Sequence, residues 1–424
     1  MDLLLKNIGL LATPIGNTAR KGAAQRDIAL IPDASVWIKD GKIASVAKTG
    51  DGSVSRAPCP ASRTIDCGGR LVTPGLVDAH THLVFGGWRQ NELALKLGGA
   101  TYLDILKAGG GILSTVEHTR AASESELIEK GKLLLAEMLS LGVTTCEAKS
   151  GYGLNAADEL KQLRVVKALN DAQPIDIAPT FMGAHAIPKE YSGDRNGYIA
   201  LLTEEILPIV SRENLAEFCD VFCETSVFTT DESRRILAAA ARLGFALKAH
   251  ADEISPSGAA EMAAELGAVS AEHLIETSDA GIRAMADGGV VAVLLPATSF
   301  YLDKPYARAR DMVDAGVAVA IATDFNPGSS PSLNMQFAMN LACLKYRLTP
   351  AEALTAATLN GAAAISRAER CGSIEAGKQA DLVVWDAPDL EYIFYRYGSN
   401  LVHTVIKNGI VAATRRHSNE GNGS

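Results

Sequence analysis

The sequence predicts an α/β chain folded as a (β/α)8 TIM-type barrel with a small β-sandwich domain formed from both chain termini. Eight short apolar segments, near 72–78, 143–149, 176–182, 219–224, 246–250, 270–273, 289–294 and 317–323, end at polar residues. Helical patterns separate them, as in repeated βα units. The two ends of the chain alternate strands with turns instead. Eight βα units match a closed barrel with active-site groups at the C-terminal strand ends. A doubly wound open sheet competes with it, because periodicity does not establish closure. The expected division is a composite β domain from 1–72 and 375–424, and a barrel over 73–374.

In chain order, Ser35–Lys39, the turn Asp40-Gly41 and Lys42–Ala47 form a hairpin pattern. Ser123 and Glu126 make a capping box, Leu127, Leu134, Leu135, Met138 and Leu141 follow helical spacing, and Gly142 closes that helix. Ser255-Pro256 is expected to start a helix that Gly267 ends, and another is expected to begin near Pro331. Ala380–Trp385, Val402–Lys407 and Ile410–Ala413, with Asn408-Gly409 between the last two, repeat the strand texture of the N-terminus. Arg415–Ser424 reads as a solvated tail.

Composition narrows the class. An apolar content of 47% rules out a disordered chain, and a net charge of −9 argues against nucleic acid or an anionic membrane as partner. The start, with Asp2 and Lys6 inside a mildly apolar stretch, does not read as a secretory signal. No uncharged run reaches the ~20 apolar residues of a spanning helix. The seven cysteines are odd in number and form no CxxC pair, so reduced thiols in a cytoplasmic protein are expected.

The polar residues at strand ends carry the chemistry. His80 and His82 end the first strand, and a period of two puts both imidazoles on one side. An isolated HxH pair does not by itself establish a metal site. His250 ends the fifth strand and Asp324 the eighth, and in a closed barrel strand eight adjoins strand one. Four such groups on one barrel face favour a metal site over buried histidines satisfied by the backbone. Three imidazoles and a carboxylate favour zinc or iron. A divalent ion against one carboxylate retains positive charge, which lowers the pKa of bound water toward ~7 and makes a hydroxide nucleophile available. Glu253, three residues past His250, is the expected proton shuttle, and Asp252 a helix-start or solvent-facing residue. His273, ending strand six, is expected to polarise the substrate carbonyl or orient water, with hydrogen-bonding support of the site as its bland alternative.

The run Leu71-Val72-Thr73-Pro74-Gly75-Leu76-Val77-Asp78-Ala79-His80-Thr81-His82 resembles the opening of the metal-dependent amidohydrolase superfamily. Gly372-Ser373-Ile374-Glu375-Ala376-Gly377-Lys378-Gln379-Ala380-Asp381-Leu382-Val383 resembles that superfamily's return to its β domain. Narrower marks are His80–Gly86 with Arg89, Glu147–Gly153, Thr180–His185, His250–Glu253 and Thr323–Ser329. Over nearly the whole chain these are similar to the hydrolases that open the imidazolone ring in histidine degradation.

The resemblance implies ring opening of 4-imidazolone-5-propanoate by water to N-formimidoyl-L-glutamate. It implies one zinc per chain, with iron the alternative, on His80, His82, His250 and Asp324. Substrate contacts are implied at Arg89, Tyr152, His185, Glu253, Asn326, Gly328 and Ser329, and family habit points to a homodimer. The residue chemistry agrees, since a guanidinium fork suits the propanoate and N–H groups near Gly328 and Ser329 suit an anion. Asp324 is expected to assist Glu253 in proton transfer. Lys149, which ends strand two, is read as structural or electrostatic rather than as a bridge between two metals. Tyr102 is a further candidate for contact with the carboxylate, and Gly109–Gly111 a candidate mobile segment over the barrel mouth. His118, His403 and His417 are expected to take no part. The competing functions are a cyclic amidine deaminase of the cytosine/adenosine type and a non-catalytic barrel acting in assembly. Arg89 speaks against the first and the complete ligand set against the second.

Overall fold

A computed structural model describes residues 2–48, 63–99 and 110–415. Tyr102, Gly109 and His417 lie outside the described residues. Strands β1 (Leu3–Pro14), β2 (Ile28–Lys39), β3 (Lys42–Lys48) and β4 (Arg63–Pro74) come from the N-terminal end. The barrel strands follow as β5 (Leu76–Asp78), β6 (Val143–Lys149), β7 (Asp176–Ala184), β8 (Phe218–Cys223), β9 (Ala246–Ala251), β10 (Ser270–His273), β11 (Val291–Leu294) and β12 (Ala318–Ile321). The chain then returns through β13 (Leu382–Trp385), β14 (Val402–Lys407) and β15 (Ile410–Thr414).

The terminal strands join in one sheet in the order β15-β14-β13-β4-β1-β2-β3, so both ends of the chain build one unit. Leu5, Ile8, Leu11, Val36, Leu382, Val384 and Ile406 contribute to a core of its own. The hairpin turns where expected: Asp40 and Gly41 both take positive φ, which a tight turn that follows strand twist demands. The first expected segment divides. Residues 72–74 belong to β4, and a barrel strand starts at Leu76 after Gly75, where a Cβ would sit 2.2 Å from Thr144 Oγ1.

Strands β5 to β12 pair in parallel and in sequence order. Closure, which periodicity left open, comes from the seam between the first and last strands. Thr81 bridges Phe325, the His82 N–H donates to Phe325 O at 2.8 Å, and the Asp324 N–H donates to His80 O at 3.0 Å. Beneath them the Asp78 carboxylate accepts from the Thr323 N–H at 3.0 Å and its hydroxyl at 2.6 Å. The barrel thereby excludes the open-sheet alternative and sets strand eight against strand one.

Helix Glu124–Ser140 begins at the Ser123/Glu126 capping box as expected. Two other starts differ. The helix expected from Ser255-Pro256 runs over Ala259–Glu265, because Asp252 takes the Ser257, Ala259 and Ala260 N–H groups and holds the chain open until Gly258. The Ser255 hydroxyl bonds Glu224 instead. The helix expected near Pro331 starts at Met335 behind an Asn334 cap, since residues 326–330 form a loop closed by Asn326. Among the described residues no helix is long and apolar enough to cross a membrane.

Candidate metal centre and substrate site

The C-terminal ends of β5, β9, β10 and the segment after β12 bring His80, His82, His250, His273 and Asp324 to one buried point. His80 Nε2 and His82 Nε2 lie 3.4 and 3.7 Å from Asp324 Oδ1. The His80 ring centroid is 4.6 Å from that of His250 and 5.5 Å from that of His273. His80, His82 and Asp324 form one group with ligand spacing, and His80, His250 and His273 form another.

The donors fit a metal because most of their facing atoms have no other partner among the described residues. Both ring nitrogens of His80, Nε2 of His250 and Oδ1 of Asp324 are buried without a hydrogen-bond partner among the described residues. Buried polar atoms are rarely left so. Burial, the largest cause for each, holds His80, His82 and His273 well below the usual imidazole range, so their lone pairs are available at neutral pH. The Thr298 hydroxyl donates to Asp324 Oδ2 at 2.6 Å, which leaves Oδ1 turned to the histidines. His273 and Asp324 both take left-handed backbone, at φ +69° and +52°, a conformation that costs energy at non-glycine positions and clusters at functional sites.

His250 is fixed from behind by Asp220, whose Oδ2 faces Nδ1 at 3.0 Å and so leaves Nε2 for the centre. Burial alone would lower His250, but the Asp220 carboxylate outweighs it and raises the imidazole. Lys149 Nζ donates to Asp220 at 2.7 Å and to Glu147 at 2.9 Å. It is fully buried and, despite that burial, held charged by Asp220 and Glu147. An ammonium so paired fits the structural reading of Lys149. Asp220 was missed, although one acid inside the apolar run Phe218–Cys223 was a legible signal.

Glu253 lies beside the centre, with Oε2 3.6 Å from His273 Nε2. Burial, then the charge of Asp324, pushes its carboxyl up to about 7, a value suited to exchanging protons near neutrality. Asp252 proves to be the helix-start residue.

Around the mouth, His185 stacks on His82 at 4.8 Å between ring centroids, and Tyr152 lies 5.3 Å from His185. The Gly151 carbonyl contacts His185 Nδ1 at 3.1 Å, and burial lowers that imidazole to about 3. Glu159 and Gln162 hold the Tyr152 loop by accepting from the Gly153 and Tyr152 N–H groups at 2.9 and 3.0 Å. Asn326 Oδ1 accepts from the Gly328 and Ser329 N–H groups at 2.8 and 2.7 Å. Those two donors therefore shape the loop, and no helix N-terminus backs it. Arg89 lies against Gly328, where a Cβ would come 2.1 Å from the guanidinium, so only glycine permits the approach. His118 is exposed on helix Ile112–Ala121, and His403 lies on β14 of the terminal sheet.

A closed barrel with unpartnered histidines and a carboxylate at its C-terminal mouth defines a metal-dependent hydrolase class. Residues 71–411 match the amidohydrolase family. The chain is 52% identical over 416 residues to a Bacillus velezensis protein named imidazolonepropionase, covering 98% of each. It is 52% identical over 410 residues to a Fusobacterium nucleatum protein of the same name, covering 96% of this chain and 98% of the relative. A zinc-bound adenosine deaminase structure from Xanthomonas campestris superposes with a TM-score of 0.70 at 25% identity, covering 97% of this chain and 92% of that one. The chain belongs to the amidohydrolase family and, within it, to the imidazolonepropionases.

Proposed function

We propose that the chain opens the ring of 4-imidazolone-5-propanoate with water to give N-formimidoyl-L-glutamate, a step of histidine degradation. The observation that carries this reading is the pairing of two clusters at one mouth. Unpartnered metal ligands occupy the strand ends, and an arginine seated on glycine occupies the adjoining loops. A neutral nucleobase, the deaminase alternative, needs no such cation.

His80, His82, His250 and Asp324 hold one zinc, with iron the alternative. When bound, the ion supplies Lewis acidity for the ring carbonyl and for water. Glu253 takes the proton of the attacking water on its carboxylate and returns it to the ring nitrogen as the C–N bond breaks, with Asp324 assisting. His273 presents its ring to the developing oxyanion and keeps the neutral form that can donate there. Arg89 grips the propanoate, and Tyr152 and His185 hydrogen-bond the ring. Asn326, Gly328 and Ser329 give the floor of that subsite its shape. The protein works in the cytoplasm as a homodimer, apart from nucleic acid and membrane.

Fresh 4-imidazolone-5-propanoate given to zinc-loaded protein should lose its ring ultraviolet absorbance as formimidoylglutamate appears. No turnover, with ammonia released from cytosine or adenosine instead, would overturn the reading.

A further inference from the structure

Glu92 follows Arg89 by three residues, in the turn Gln90–Glu92 that leads into helix Leu93–Leu97. It is a carboxylate only 1% exposed. Its Oε1 accepts from Arg89 Nε at 2.8 Å and from the Gly111 N–H at 2.7 Å. Its Oε2 accepts from the second Arg89 nitrogen, Nη2, at 2.9 Å and lies 3.8 Å from Lys96 Nζ. Lys96 in turn donates to the Gly328 carbonyl at 2.8 Å. One buried carboxylate thus ties together the loop after β5, the chain at Gly111 and, through Lys96, the loop after β12.

We infer that Glu92 is a positioning residue that sets selectivity for the substrate's carboxylate, with Lys96 the cation that keeps the cluster net positive. The inference rests on the reaction proposed above. A guanidinium has five N–H donors. Glu92 uses the Nε–H and one hydrogen of Nη2, a side-on grip. Among the described residues the end-on edge, Nη1 and the remaining Nη2 hydrogen, has no hydrogen-bond partner, and it can meet a carboxylate with two parallel hydrogen bonds. Fixing a long side chain before the ligand arrives removes an ordering cost from binding. Burial pushes the Glu92 carboxyl up, but hydrogen bonds from Arg89 and Gly111 outweigh it and hold the group below the ordinary range. Glu92 therefore stays ionised and cancels Arg89. Lys96 leaves a single net positive charge, which an incoming carboxylate neutralises.

Two physical effects oppose each other when Glu92 is neutralised. The net charge becomes more positive, which by field alone would tighten anion binding. Arg89 also loses its fixed orientation and Lys96 its counter-charge, which weakens binding. The positioning role requires the second effect to win.

The test uses the zinc-loaded full chain, with 4-imidazolone-5-propanoate and its carboxamide analogue as substrates. Glu92→Gln should raise KM about tenfold or more and leave kcat within about threefold. Its preference for carboxylate over carboxamide should fall from about a hundredfold to under tenfold. Glu92→Asp, which keeps the charge, should recover part of that preference. A merely structural role would lower the melting temperature and kcat and leave the preference intact. Should Glu92→Gln fail to fold, Lys96→Met, at a partly exposed side chain, carries the test and should raise KM in the same direction. A KM that falls or holds still, or an unchanged preference, overturns the inference while wild-type turnover stands. Absence of wild-type turnover overturns the reaction, and this inference with it.

Discussion

The strand-end cluster and the loop cluster at the barrel mouth are built on opposite terms. His80, His82, His250 and Asp324 are uncharged or unpartnered at the atoms that face one another, and their positions follow from strand register. Arg89, Glu92 and Lys96 are charged, paired among themselves and carried on a turn and a short helix. The difference teaches a division of labour. In the proposed function, the unpartnered atoms hold an ion and serve the chemistry, and the paired charges hold a carboxylate and serve the selecting. The proposed division would let an acidic chain of net charge −9 bind an anionic substrate, with selection local rather than by overall field.

If that division holds, damage at the strand ends should strike kcat and metal content, and damage on the loops should strike KM. The largest effect is expected for His82→Ala, which should lose bound metal and at least ~10³-fold in kcat/KM, read by elemental analysis beside the assay. Glu253→Gln should keep its metal and lose about 10²- to 10⁴-fold in kcat. Asp220→Asn removes the carboxylate behind His250 and should weaken metal affinity about 10- to 100-fold, measured by chelator competition. Arg89→Met should raise KM with little change in kcat, a result that would sharpen the contrast. A fall in its kcat matching that of Glu253→Gln would break it.

The smallest effect concerns pH. Glu253 acts as a base only when ionised, and burial with the charge of Asp324 places its carboxyl at about 7. Activity should therefore fall as pH drops through that region, at a somewhat lower pH once a cation is bound nearby. Glu253→Gln should lack that acid limb in a pH–rate profile, and an identical limb in the variant would assign it to another group.

Much of the strand-end cluster was legible in the sequence, for a physical reason. His80-Thr81-His82 and Asp324 lie two to four residues past the apolar strands β5 and β12, and His250 lies near the end of β9, so position along the chain reveals their end of the barrel. Closure was not legible, because it depends on contacts such as Asp78 to Thr323 that join residues far apart in the chain. Helix starts at Ala259 and Met335 were misplaced because Asp252 and Asn326, working from loops, outweigh local proline signals. The buried charges inside the barrel, Glu147, Lys149, Asp220, Lys248 and Glu272, alternate with apolar residues, and most of their pairings run across strands, as Lys149 to Asp220, Lys248 to Glu272 and Lys248 to Glu147 do. Lys149 stands out as a charge at a strand end, whereas its partner Asp220 lies 71 residues away and is joined to it only by the fold. Glu92 escaped for a related reason, since an acid three residues past an arginine on a helical turn reads as a routine surface pair.

The most direct test of the division is a comparison of kcat and KM for 4-imidazolone-5-propanoate and its carboxamide analogue on the wild-type, zinc-loaded enzyme. Separate clusters predict a KM raised about a hundredfold for the carboxamide, with kcat within about threefold of the natural substrate's. A kcat that falls in step, with KM unchanged, would mean that the carboxylate takes part in the chemistry, and would contradict it.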